Sequence, residues 1–172
     1  MRETVDRAGI VEVRDIKEAI GNLVILSAKL EQTLAAEIVV LGGGIAPHYA
    51  GQKLAVWKAL HDAAGIGRPR HAQIVDALHP LLCEALRVRN GICHGLRGYC
   101  ADPSGFEPVS ITFDLDGVTE TVSWARLQAI MQLLATTWSW AGRLTIAARR
   151  PDLAGISNIY DDFEQRIIPL PA

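Results

Sequence analysis

One stretch limits the possible folds more than any other. Ile16, Ile20, Leu23, Leu26 or Ser27, Leu30, Leu34, Ile38 and Leu41 recur at helical spacing, and Gly42-Gly43-Gly44 ends the run. Seven turns at 1.5 Å per residue make a helix of about 40 Å with one apolar stripe. So long a stripe is buried only by helices of similar length, and 172 residues supply few of them. An antiparallel helical bundle in a single domain, 1–172, follows. The hydrophobic share of 49% and charged share of 21% exclude a disordered chain, a collagen-like repeat and a disulfide scaffold.

The remaining elements fit that plan. Asp15 is expected to cap the first helix, with Glu18 reaching back. Pro47 opens a second helix over His48–Ala64, with Leu54, Trp57, Leu60 and Ala64 inward. A third runs from His71 to His94 on Ile74, Leu78, Leu81 or Leu82, Ala85, Val88 and Ile92, and Pro80 should kink or split it. Then the period changes. Val109, Ile111, Phe113 and Leu115 alternate with polar residues, as do Val118, Glu120, Val122 and Trp124. Asp116-Gly117 between them predicts a β-hairpin over about 108–123, pairing Leu115 with Val118, Ile111 with Val122 and Val109 with Trp124. Ser123 caps a last long helix to Arg149, with Leu127, Ile130, Met131, Leu134, Trp138, Ala141 and Thr145 inward and Trp140 off the stripe. Pro151 stops it. The tail, 152–172, carries Ile156, Ile159, Tyr160, Phe163 and Ile167 among acids and is expected to dock as a short helix. The fold class is therefore all-α, four to five helices with one small hairpin inserted before the last long one.

Charge and cysteine usage narrow the function classes. A net charge of −2 argues against a general nucleic-acid coat. Between Gly65 and Cys100, however, Arg68, Arg70, Arg87, Arg89 and Arg97 face only Asp76 and Glu84, a local basic excess. Cys83, Cys93 and Cys100 have no paired spacing, which reads as a reducing compartment. No secretory signal is visible, and the most apolar run, Leu23–Leu41, contains Lys29, Glu31 and Glu37. A cytoplasmic protein with no membrane span is expected.

The most informative stretch is Arg87-Val88-Arg89-Asn90-Gly91-Ile92-Cys93-His94-Gly95. Asn90 and His94, four apart, share a helix face, so the Asn90 amide is placed to hold the His94 imidazole. Arg89 and His94 stand about 140° apart on an ideal helix. For them to act together, Arg89 must swing round, the helix must loosen at Gly91 or Gly95, or a second chain must complete the site. An Arg-to-His spacing of five arises by chance about 0.4 times in a chain with this many of each; adding Asn after the Arg lowers that to under about 0.01.

Arg89, Asn90 and His94, with Gly95 following, resemble the motif of the HEPN family, helical bundles whose RNase members carry Arg, a polar residue, three others and His. The resemblance implies a homodimer in which two such motifs face each other across a cleft. It implies a metal-independent endoribonuclease acting as a toxin or phage-defence effector, with RNA as substrate and an antitoxin protein as a possible partner. Cleavage without a metal needs a base for the 2′-OH, a cation for the phosphorane and an acid for the leaving oxygen. His94 suits the acid and base roles, Arg89 the phosphate, and Asn90 the orientation of His94. Arg87, Arg97 and Tyr99 are candidate RNA contacts. One departure is Leu96, where a branch of the family carries a tyrosine that antitoxin nucleotidyltransferases modify.

The alternative is a non-catalytic module that binds a partner protein or nucleotide in the same cleft. Other chemistry is weaker. Asp76, His79 and His71 lie on similar faces but make a poor metal set, and no metal is expected. Cys93 and His94 diverge by 100°, with no orienting third group. Gly42-Gly43-Gly44 lacks the Lys-Ser/Thr of a phosphate loop, and nothing calls for a cofactor. Trp124, Trp138 and Trp140 read as packing, with Trp140 a candidate partner surface.

Overall fold

The computed structural model describes residues 11–42, 44–101, 108–152 and 155–166. Within them lie α1 (Val13–Gly42), α2 (Ala50–Ala64), α3 (Pro69–Gly95), β1 (Leu96–Cys100), β2 (Ser110–Leu115), β3 (Val118–Ser123), α4 (Trp124–Arg149) and α5 (Ile156–Arg166). The protein is mostly helical, as the stripe of the first helix demands, and carries one small antiparallel sheet in the order β1-β2-β3.

α1 buries Ile16, Ala19, Leu23, Ser27, Leu30, Leu34 and Ile38, one residue per turn, chiefly against α4. Its cap lies one turn earlier than the sequence suggests. The Asp15 carboxylate accepts from the Glu12 amide at 2.8 Å, so Asp15 reaches back from inside the first turn rather than standing ahead of it. α3 runs through Pro80 as one helix. Pro80 and Asp76, whose carbonyl loses its donor, both lie on the exposed side, where water satisfies that carbonyl.

α4 begins where Ser123 accepts from the Arg126 amide at 3.3 Å. Beyond Leu134 its buried face drifts to Thr137, Trp140, Ala141, Leu144 and Ala148. Trp140 is thus buried on the ring of Phe163, and Trp138 is 47% exposed with Lys29 Nζ 4.2 Å over its ring. The expected roles of these two tryptophans are reversed. The cause is α5, which docks through Ile156, Tyr160 and Phe163 and pulls the buried side of α4 toward itself.

The hairpin has the register read from the sequence: Leu115 opposite Val118, and Ile111 opposite Val122. The Trp124 amide donates to the Val109 carbonyl at 2.9 Å, continuing the pairing into the helix start. Asp116 and Gly117 both take positive φ (51° and 80°), as a type I′ turn requires. A third strand, β1, joins directly to the end of α3 and pairs with β2. Ile111, Phe113 and Val122 point inward from the sheet, and β2 lies on α3. The Pro-Leu-Pro-Ala end of the tail and Gly43 fall outside the described residues.

Candidate functional site

The Arg-Asn-x3-His motif occupies the last turns of α3, and its two glycines explain how that helix end is held. A Cβ on Gly91 would lie 2.2 Å from the Phe113 ring, and one on Gly95 would lie 1.8 Å from the Asp114 carbonyl oxygen. Both residues let β2 rest directly on the helix backbone. The glycines therefore serve close packing, and the helix does not loosen at either one. The contact leaves His94 exposed in the final turn, and among the described residues it makes no hydrogen bond or ion pair.

Arg89 turns the other way. Its Nη1 donates to Asn90 Oδ1 at 2.9 Å, and its Nη2 lies 3.3 Å from Glu31 Oε1 on α1. The second oxygen of Glu31 lies 3.5 Å from Lys53 Nζ on α2. Side-chain exposures of 23% for Arg89, 21% for Glu31 and 14% for Lys53 make this a shallow, partly dehydrated cluster. Arg89 Nε is buried and finds no acceptor among the described residues. Asn90 thus holds the guanidinium where the sequence had it hold the imidazole, and no described bond joins Asn90 to His94. Within one chain the structure brings Arg89 and Asn90 together, and among the described residues His94 bonds to neither. Glu31 and Lys53 are the members that sequence reasoning missed.

The flanking cations are more firmly held. Arg87 forms ion pairs with Glu84, at 2.8 Å, and with Glu120 on β3; Arg126 on α4 reaches Glu84 at 2.6 Å. The two arginines hold the Glu84 carboxyl below its ordinary range, with Arg87 the larger cause. Arg97 pairs with Asp114 at 3.3 Å and donates to Thr119. Arg70 pairs with Asp161, and Arg68 donates to the Ala148 carbonyl. The basic excess between Gly65 and Cys100 is therefore partly offset in space, by Asp114, Glu120 and Asp161 and by Glu31, which Arg89 shares with Lys53. Of the candidate RNA contacts, Arg87 is locked, Arg97 is exposed but paired, and Tyr99 is 39% exposed on β1.

A second polar group lies within the core. His61 Nδ1 and His71 Nε2 are 3.0 Å apart, and His71 Nδ1 is 3.3 Å from the Tyr160 hydroxyl. Both imidazoles are buried; dehydration pushes His61 down to about 3 and lowers His71 as well. The chain of rings links α5, through Tyr160, to His71 of α3 and His61 of α2, and so ties three helices together. The weaker metal alternative disperses, because Asp76 pairs with Lys58 and His79 lies beside Cys83. Among the described residues no three His, Cys, Asp or Glu side chains converge on a point. No described helix is long and apolar enough to cross a membrane.

No protein-family model, no curated protein and no solved structure matches the chain.

Proposed function

We propose that the protein is a metal-independent endoribonuclease of HEPN type, working as a homodimer in which two copies of α3 face a common groove. The observation that carries this reading is the triplet itself, placed at a helix end with its imidazole open to solvent and its guanidinium partly shielded from it. Arg89, fixed by Asn90, is preset to bind a phosphate and the charge that grows on it, an effect of about 3 kcal/mol for a single donor of this kind. His94 has no competing partner among the described residues, which leaves it able to take or give a proton. A second chain supplies the second His94, so that one imidazole takes the 2′-OH proton while the other protonates the departing 5′-oxygen. The products are a 2′,3′-cyclic phosphate and a free 5′-hydroxyl, and DNA resists because it lacks the attacking group. A toxin or defence role, with an antitoxin as partner, accords with such an activity.

The test is incubation of the purified protein with single-stranded RNA in EDTA. Cleavage is expected for the wild type and should fall by a factor of about 100 or more in His94→Ala. Cleavage that survives His94→Ala or Arg89→Ala overturns the reading. A non-catalytic module binding a partner or nucleotide is the second reading. It is favoured by one feature, that Arg89 and His94 share no contact within a chain. Harmless overexpression of the wild type in a bacterial host, with no RNA cut in vitro, would select it.

A further inference from the structure

We infer that Lys53 is a second phosphate-binding cation of this site, and that Glu31 is an internal counter-ion which the RNA backbone displaces. The inference rests on the RNA-cleaving reading and names what else holds the substrate. Three helices bring these groups together: Glu31 from α1, Lys53 from α2 and Arg89 from α3. Two cations share one carboxylate, so the cluster keeps a net charge of +1 in a partly dehydrated place.

The contacts of Glu31 are long. Its oxygens stand 3.3 Å from Arg89 and 3.5 Å from Lys53. The less exposed pair Arg126–Glu84 closes to 2.6 Å, as does Arg70–Asp161, and Lys58–Asp62 closes to 2.8 Å; among the described residues only more exposed pairs such as Arg97–Asp114 are as long, at 3.3 Å. A carboxylate stretched between two cations binds neither at its best distance, and Arg89 Nε has no acceptor among the described residues. A phosphodiester presents two anionic oxygens on a larger tetrahedron. It can span a lysine and an arginine that one carboxylate spans poorly, and the guanidinium fork suits it. Glu31 meanwhile keeps the empty site from holding two uncompensated charges.

The test is equilibrium binding of a short, fully 2′-O-methylated single-stranded RNA, which cannot be cut, followed by fluorescence anisotropy over a range of salt concentrations. Lys53→Gln should bind about tenfold more weakly and reduce the slope of log Kd against log salt by about 0.7, the loss of one phosphate contact on a single strand. Lys53→Arg should keep the wild-type slope. Glu31→Gln should tighten binding about fivefold. Thermal melting confirms that each variant is folded. If Lys53→Gln keeps both affinity and slope while Arg89→Ala loses them, the inference falls and the nuclease reading stands. Weaker binding by Glu31→Gln also overturns it, since Glu31 would then be positioning Arg89 rather than yielding its place. A wild type that neither binds this RNA nor cuts the unmodified one removes the nuclease reading, and the inference with it.

Discussion

Arg87 and Arg89 are two residues apart on one helix, yet they live in opposite electrostatic surroundings. Arg87 belongs to a closed set of two cations and two carboxylates, Arg87 and Arg126 with Glu84 and Glu120, drawn from α3, α4 and β3. Arg89 belongs to an open set of two cations and one carboxylate, drawn from α1, α2 and α3. The first set ties the sheet to the bundle, and its charges balance. The second has a surplus charge and longer contacts. Spacing on a helix decides which neighbours an arginine meets, and the neighbours decide whether it serves stability or binding.

The largest expected effect comes from the seam between α3 and β2. Gly95→Ala places a methyl group against the Asp114 carbonyl, so β2 must lift from α3. A loss of about 3 kcal/mol is expected, measured by chemical denaturation; a loss below about 1 kcal/mol would show that the strand is not pressed on the helix. Next is Glu84→Gln, which leaves Arg87 and Arg126 facing each other across a weakened centre. It should cost about 2 kcal/mol, less than the removal of a fully buried partner, since the Glu84 side chain is 20% exposed. If the same change at Glu31 costs as much, the contrast between closed and open sets is wrong.

Acid separates the contributions further. His61 and His71 have folded values depressed below 6.5, so the unfolded chain takes up protons first. Stability held above that value is lost as pH falls, by about 1.4 kcal/mol per pH unit for His61 down to its folded value near 3. The Glu84 carboxyl is also depressed, from an ordinary 4.5, so its contribution is intact above 4.5 and fades only below it. Melting curves against pH should therefore fall from near 6.5 and steepen below 4.5. His61→Gln should flatten the first limb and Glu84→Gln the second. The smallest effect is the stability change in Glu31→Gln, expected within about 1 kcal/mol because its contacts are long.

Local signals carried most of the fold. The stripe of α1, the Asp116-Gly117 turn, its register and the Ser123 cap depend on residues close in sequence, and the structure has them as read. β1 was invisible because Leu96-Arg97-Gly98-Tyr99-Cys100 has no apolar alternation; it is a strand only because β2 lies beside it. Trp138 and Trp140 changed places because α5, far along the chain, sets which side of α4 is inner. The motif was legible as a motif, but Glu31 lies 58 residues from Arg89, and no single sequence shows that the two helices bring them together. In the same way His71 was weighed with His79 on its own helix, whereas its partner is His61 across a turn.

α3 ends at Gly95 and β1 starts at Leu96, with no connecting residue between them. The turn of helix that carries His94 therefore feeds straight into the edge strand that carries Arg97 and Tyr99, and that strand is hydrogen-bonded to the hairpin. A ligand lying along this edge would meet the imidazole, the guanidinium and the phenol in the order in which the backbone delivers them.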